Sequence, residues 1–298
     1  MKRVISLLLA LLLLGGCGAA PAGHSPVEPP VPREAADVPV LPDTLPETGP
    51  AEPISAPAAV TSGREPAEDY DLPPSRAEQD YQENLVRCAY EGAIGLLAEA
   101  PEADAAFYGL PLARAALIRW GDSLAEFGWS FATPRLYLPE LYCFDFDGDG
   151  QEELVVLCYS GSGTGVSIYD LHVVEKNPDG TLTDYALPEK LFDLLSECIS
   201  ICSLEERTYA VLGTELLDLT GFFTGEVTDV QGLAAGDIVY YDVNPKRIPQ
   251  QPVRFRGSAW AESDYFPATG MYMADLEARV SYGDGVFTLS DIHLNSNA

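Results

Sequence analysis

Proline is the residue that most limits how this chain can fold, because 14 of its 24 prolines lie in residues 18–75. The same stretch contains ten alanines, ten acidic residues, two basic residues and a single aromatic residue, Tyr70. A segment of this composition cannot bury enough apolar surface to offset the entropy that it loses on ordering. The sequence therefore predicts that residues 17–75 are a disordered tether of polyproline character, and that the globular domain comprises residues 76–298.

The N-terminus has the pattern of an export signal. Two basic residues precede the apolar run Val4–Leu14, whose eleven residues are too few to cross a bilayer as a helix. The run ends in Leu14-Gly15-Gly16-Cys17, which resembles the lipobox of bacterial lipoproteins. The resemblance implies that residues 1–16 are a signal peptide and that Cys17 is lipidated, which would attach the protein to the extracytoplasmic face of a bacterial cell membrane. The alternative is an ordinary secretory leader in which the cysteine occurs by chance.

The net charge narrows the range of partners. The chain carries 46 acidic residues against 17 Lys and Arg, a formal net charge of −29. Affinity for nucleic acids comes mainly from basic side chains that displace counterions, so we expect no nucleic-acid partner. The partners that we expect are the membrane, through the lipid anchor, and an envelope protein or a glycan.

Local patterns predict helices followed by strands. Ser75 and Glu78 fit a capping box before a first helix, whose apolar residues recur at helical spacing from Leu85 to Leu96 and Leu97. Leu110-Pro111 begins a second helix that continues to Phe127. From Arg135 onward, β-branched and aromatic runs alternate with Gly and Asp turns, which indicates strands with one further helix at 188–202. The predicted strands are 136–144, 153–159, 166–175, 181–187, 208–212, 225–230, 237–243, 253–259 and 276–281, with a terminal hairpin of 278–282 and 286–291. The predicted fold class is α+β, with two N-terminal helices packed on a mainly antiparallel β domain.

One acidic stretch has the composition of an ion-binding loop. It reads Asp145-Phe146-Asp147-Gly148-Asp149-Gly150-Gln151-Glu152-Glu153. Alternate carboxylates in a tight loop point inward, where their hard oxygens can replace the water shell of Ca²⁺. Position 12 of the loop is Val156 rather than the glutamate that an EF-hand requires, so the loop is not an EF-hand.

The pattern D-x-D-x-D-G-x-x-[DE] between two strands resembles the calcium hairpin loops of FG-GAP and VCBS-type repeats. The resemblance implies a Ca²⁺ cofactor bound by Asp145, Asp147, Asp149, Gln151 and Glu153. The alternative is a solvated acidic turn that holds no ion.

Other residue types point to no catalytic centre. His172 and His293 have no accompanying Ser or Cys constellation, and the cysteines form no Cys-x-x-Cys motif. Leu45-Pro46-Glu47-Thr48-Gly49 matches a sortase pentapeptide, but the apolar helix and basic tail of sortase substrates do not follow it. The sequence therefore favours non-catalytic binding or envelope interaction by a calcium-stabilised domain. Two alternatives stay open, an envelope hydrolase that uses paired carboxylates and an interaction partner of a membrane sensor or transporter.

Overall fold

The computed structural model describes residues 49–76, 80–204, 207–220, 230–247, 253–263 and 271–295. The predicted signal peptide, Cys17 and the predicted tether up to residue 48 lie outside these ranges. The described residues form a mostly β fold, so the predicted α+β class with two N-terminal helices is wrong. None of the helices in these ranges has the length and apolar character needed to span a bilayer.

Two α-helices and seventeen strands occur in the described residues. The helices are α1 (Tyr81–Glu91) and α2 (Lys190–Glu197). The strands are β1 (Ile54–Pro57), β2 (Ala59–Ser62), β3 (Gly95–Ala100), β4 (Ala105–Gly109), β5 (Ala116–Trp120), β6 (Ser123–Phe127), β7 (Glu140–Phe144), β8 (Glu153–Ser162), β9 (Ser167–Lys176), β10 (Leu182–Ala186), β11 (Ile199–Leu204), β12 (Arg207–Leu212), β13 (Glu215–Asp218), β14 (Val230–Val243), β15 (Val253–Ser263), β16 (Met271–Gly283) and β17 (Val286–Asn295).

Ten of the strands form one large sheet that branches at β9. Its main path is β1-β17-β16-β15-β14-β9-β10-β2, and β8 and β7 extend it from the other edge of β9. The first residues of β9 pair with β14 in parallel, whereas its last five residues pair with β10 in antiparallel fashion. A three-stranded sheet, β11-β12-β13, and a four-stranded sheet, β3-β4-β5-β6, complete the fold.

Strand β8 lies at the centre of the fold with both faces buried. Val155 and Leu157 face a core that includes α2, β12 and the β15–β17 part of the large sheet. Leu154 and Val156 face the opposite side, where they pack against the four-stranded sheet and α1. Because neither face of the strand contacts water, its sequence is a continuous apolar run rather than an alternating one.

The predicted helix from Leu110 to Phe127 is wrong. A 3-10 turn occupies Pro111–Ala113, and the chain then forms β5 and β6, which are joined by a turn at Gly121 with a φ of 57°. The four-stranded sheet has apolar cores on both faces, so Leu117 is buried on one side and Ile118 on the other. A strand that is buried on both faces lacks polar alternation, and its apolar spacing can then imitate a helical period.

The first predicted helix exists, but it is shorter than predicted and has a different N-cap. Asp80 Oδ1 accepts the backbone N–H of Glu83 at 2.9 Å, which caps the start of α1. Gly92 ends the helix in the left-handed conformation, with a φ of 71°. Leu96 and Leu97, which the helical spacing placed on the same apolar face, lie in β3 instead.

Most of the predicted strands are confirmed, including β8, β9, β10 and the terminal hairpin of β16 and β17. The helix predicted at 188–202 ends at Glu197, because the next residues form β11. The strand predicted at 225–230 lies outside the described residues except for Val230.

The tether prediction is wrong for its last part. Strand β1 pairs with β17, and β2 pairs with β10 as an edge strand of the large sheet. Ala56 is buried in the core, while Tyr70 and Leu72 pack on the outer face of the four-stranded sheet. A short strand added to an existing sheet edge satisfies its backbone groups without burying many large side chains, so an unfavourable composition does not prevent order here. Ordered structure is therefore present upstream of residue 76.

We expect a chain that starts at Arg76 to be less stable than one that starts at Gly49. The shorter chain lacks β1 and β2 and exposes the edges of β17 and β10. Each lost backbone hydrogen bond costs roughly 0.5–1.5 kcal/mol, so the melting temperature should fall by at least about 5 °C. Calorimetry on the two chains measures the difference, and equal melting temperatures would contradict the pairing of β1 and β2.

Candidate metal site

The acidic loop connects β7 to β8 at one end of the large sheet. Phe144 pairs with Glu153, so residues 145–152 form the connection of a β-hairpin. Phe144 is part of the main core, and β8 is buried on both faces. The loop therefore stands on a rigid support, which an ion site needs if its ligands are to be held in place before the ion binds.

Asp145 organises the backbone of the loop. Its Oδ1 accepts the N–H of Gly148 at 2.8 Å, and its Oδ2 accepts the N–H of Gly150 at 3.2 Å. Gly148 and Gly150 have φ values of 84° and 91°, a region that residues with a Cβ atom rarely adopt. The two glycines of the pattern thus allow the chain to wrap around the Asp145 carboxylate.

The three aspartates place their carboxylates together. Asp147 Oδ1 accepts the Asp149 N–H at 2.9 Å, and Asp149 Oδ1 accepts the Gln151 N–H at 2.7 Å. One ligand oxygen from each of Asp145, Asp147 and Asp149 lies within 4.8 Å of the other two. Oxygens bound to one Ca²⁺ at 2.3–2.6 Å are at most about 5 Å apart. The three carboxylates therefore fit around a single ion of this size.

The other two predicted ligands are placed differently. Glu153 is 3% exposed at the base of the loop, and its Oε2 accepts the Phe146 N–H at 2.7 Å. It lies outside the group of three mutually close oxygens. The side-chain amide of Gln151 donates to Asp149 Oδ2 at 3.0 Å, which leaves the backbone carbonyl of Gln151 as its predicted ligand atom. The structure thus brings together three of the five predicted residues.

Negative charge at the loop is poorly compensated by the protein. The pKa of Glu153 is raised to about 7, chiefly by burial and also by the charges of the three loop aspartates, against the opposing effect of the hydrogen bond from the Phe146 N–H. The pKa of Asp147 is also raised, chiefly by burial and then by the neighbouring carboxylates. A bound cation would favour the ionised form of these groups and reverse both shifts.

Residues from other parts of the chain also reach this site. A cavity of about 360 Å³ adjoins the loop, and Glu175 and Asp284 are among its lining residues. Asp284 lies in the turn between β16 and β17, next to Gly283, which approaches Asp147. Glu175 is held by a hydrogen bond from the Tyr282 hydroxyl. No local sequence pattern marks Glu175 or Asp284 as part of this site, because only the pairing of distant strands brings them to the loop.

A second group of polar side chains is buried against β9 and β10. Asp184 Oδ2 accepts the Trp129 Nε1–H at 2.8 Å, and both of its carboxylate oxygens lie 3.1 Å from His172 Nδ1. The rings of Trp129 and His172 stack with their centroids 4.3 Å apart. Within the described residues no side chain forms a hydrogen bond with His172 Nε2. Asp184 and His172 therefore lack the nucleophile that would complete a catalytic triad. This group is interpreted as a structural network.

The donor set of the loop restricts which metals it can hold. The close group consists of three carboxylates and includes no thiolate or imidazole, a set that suits the hard cations Ca²⁺ and Mg²⁺ rather than zinc or copper. Comparison of the chain with protein-family models, with curated proteins and with solved structures found no match. The function is therefore argued from the geometry of the site.

Proposed function

We propose that this protein is a lipid-anchored, extracytoplasmic lipoprotein whose folded domain is stabilised by Ca²⁺ and acts by non-catalytic binding in the cell envelope. The observation that carries the proposal is the convergence of the Asp145, Asp147 and Asp149 carboxylates within 4.8 Å. The lipobox-like end of the N-terminal apolar run supports the location, because only a thiol such as that of Cys17 can carry the thioether-linked lipid.

Repulsion within the loop favours a bound cation over an empty acidic turn. Three carboxylates that lie this close raise the energy of one another's ionised forms. In the ranges that the structure describes, no Lys or Arg forms an ion pair with any of the three. The loop nevertheless holds them in an ordered arrangement of backbone hydrogen bonds. A divalent ion from the extracytoplasmic medium supplies the missing positive charge.

The geometry favours binding over the alternative of a carboxylate-dependent hydrolase. Glu153 has the raised pKa that a general acid needs, and it lies beside ionisable aspartates. It is, however, only 3% exposed, and one of its oxygens is engaged by a backbone N–H. A general acid has to come within hydrogen-bond distance of its substrate, and the burial of Glu153 prevents such contact.

Calcium is expected to raise the melting temperature of the protein, and the Asp147→Ala variant is expected to lose this response. Extracellular calcium modules have dissociation constants of about 10⁻⁴–10⁻³ M. A free concentration ten times the constant stabilises the native state by roughly 1.4 kcal/mol, which is a rise of about 3–6 °C for a domain of this size. Thermal unfolding measured across a Ca²⁺ titration, with and without chelator, tests the effect.

Three controls sharpen this experiment. Asp122→Ala removes an exposed carboxylate from the β5–β6 turn and should leave the calcium response intact. Mg²⁺ should act more weakly than Ca²⁺, because it releases its water shell reluctantly. In chelator, Asp147→Ala should be at least as stable as the parent, since it relieves repulsion. A titration with no heat and no thermal shift at millimolar Ca²⁺ would refute the site.

A further inference from the structure

Four tyrosines form a continuous row of rings at the end of β8 opposite the acidic loop. We name Tyr137, Tyr159, Tyr169 and Tyr240 the tyrosine row. Their successive ring centroids are 4.8, 4.9 and 5.6 Å apart. Tyr159 is six residues along β8 from Glu153, which corresponds to about 20 Å of strand. The row is therefore separate from the candidate calcium site.

The row is exposed at its two ends and fixed at its middle. Tyr137 is 49% exposed and Tyr240 is 42% exposed, whereas Tyr159 is fully buried. Tyr159 and Tyr169 are directly paired across β8 and β9. The outer two rings thus present apolar surface to solvent, and the inner two rings pack against them.

Hydrogen bonds hold two of the four rings, Tyr159 and Tyr240, in place. Arg135 Nη1 donates to the Tyr159 hydroxyl at 3.2 Å, and Ser167 Oγ donates to the same hydroxyl at 3.4 Å. The Tyr240 hydroxyl donates to Ser167 Oγ at 3.0 Å. Tyrosine side chains have few rotatable bonds, and these hydrogen bonds restrict Tyr159 and Tyr240 further. The entropy that these side chains lose when a ligand binds the row is therefore small.

Polar groups flank the row on its exposed side. Arg135 and Glu140 are both exposed, and they lie on the same chain segment as Tyr137. Arg135 Nη2 also donates to the Gly163 carbonyl at 3.2 Å, which fixes the plane of its guanidinium group. Glu140 accepts a hydrogen bond from the Tyr142 hydroxyl. Exposed tyrosine rings beside a few oriented donors and acceptors are a combination that small-molecule and saccharide sites use.

We propose that the tyrosine row binds a neutral glycan strand. Pyranose rings present an apolar C–H face and a rim of hydroxyl groups. The C–H face can pack on the exposed rings of Tyr137 and Tyr240, and the hydroxyl rim can form hydrogen bonds with the side chains of Arg135 and Glu140. This inference rests on the proposed binding role of the protein and names the class of ligand, and it does not require the calcium site.

The net charge of the protein and the residue types at the tyrosine row disfavour other classes of ligand. The net charge of −29 and the exposed Glu140 oppose an anionic polymer. An amphipathic peptide helix needs an aliphatic groove, and the exposed members of the row and its flanks are Tyr, Arg and Glu. A proline-rich peptide and a quaternary ammonium ion also bind tyrosine surfaces, so both are included in the test.

The test is binding of neutral tetrasaccharides to the full mature chain in detergent, followed by saturation-transfer NMR and calorimetry. The probes are β1,4-linked glucose, β1,4-linked N-acetylglucosamine and α1,4-linked glucose. We expect at least one of them to bind. Tyr137→Ala and Tyr240→Ala should each weaken that binding about three- to tenfold, the loss typical of one aromatic contact. Tyr240→Phe keeps the ring face and should bind within about twofold of the parent.

Matched controls separate this inference from folding defects and from the calcium proposal. Tyr90→Ala removes a tyrosine that is 65% exposed on α1, and it should bind as the parent does. Asp147→Ala should lose the calcium response but keep glycan binding, so that the two proposals fail independently. No binding of any probe at about 10 mM, or binding that Tyr137→Ala and Tyr240→Ala leave unchanged, would overturn the inference. So would preferential binding of a polyproline peptide or of tetramethylammonium to the row.

Discussion

Replacing Asp184 with alanine is expected to lower the free energy of unfolding by roughly 3–5 kcal/mol, because it removes the acceptor on which a buried network depends. Asp184 is 2% exposed, and its carboxylate serves both Trp129 Nε1–H and His172 Nδ1. The variant leaves Trp129 Nε1–H and His172 Nδ1 buried without the carboxylate that they contact. Such a loss corresponds to a fall in melting temperature of roughly 10 °C or more.

Two further variants locate the cause of this effect. Asp184→Asn keeps the shape of the side chain and one acceptor oxygen for Trp129, so its cost should be clearly smaller than that of Asp184→Ala. Asp193→Ala removes an aspartate from the exposed surface of α2, where the change should stay within about 0.5 kcal/mol. Urea unfolding of the three variants gives the comparison. A loss below about 1 kcal/mol for Asp184→Ala would show that the network does not contribute to stability.

Replacing Cys17 with serine is expected to move essentially all of the protein from the membrane fraction to the soluble fraction. Serine offers no thiol, so the lipid cannot be attached. An acyl chain contributes roughly 0.8 kcal/mol for each CH₂ group that it buries, and at least two chains are needed for stable attachment. Fractionation of cells by ultracentrifugation, followed by detection of the protein, measures the change.

Cys198→Ser is the matched control for the anchor. Cys198 is partly buried and is not part of a disulfide, so its replacement should leave the protein in the membrane fraction. A Cys17→Ser variant that still sediments with membranes would contradict the lipobox interpretation. The same fractions, treated with chelator, show whether the anchor and the calcium loop act independently, as we expect.

The candidate site was predictable where its residues are neighbours in the sequence. The Asp145, Asp147 and Asp149 carboxylates converge because a tight loop with Gly148 and Gly150 turns them inward, and all of this information lies within a few residues. Asp284 and Glu175 were not predictable in this way. They line the adjoining cavity only because the fold brings the β16–β17 turn and the end of β9 next to the acidic loop.

The fold was predictable where strands have one buried face or strong turn signals. The turns before β10 and between β16 and β17 were identified from their Gly and Asp residues, and the strands around them are confirmed. The segment from Leu110 to Phe127 was mistaken for a helix. Its residues are buried on both sides by the four-stranded sheet, and such burial removes the alternation on which a strand prediction depends.

Features encoded over short distances were predictable from the sequence: the proline-rich composition, the residues that predict an export signal and the loop that gathers three carboxylates. Tertiary structure decided which segments belong to the sheets. It places Ile54–Pro57 and Ala59–Ser62 in the large sheet, although the composition of this stretch predicts disorder. The edges of β17 and β10 supply hydrogen-bond partners that the stretch cannot supply for itself. It also assembled the tyrosine row from the segment before β7 and from strands β8, β9 and β14. Contacts between residues far apart in sequence depend on the packing of the whole fold, so local secondary-structure propensity does not predict them.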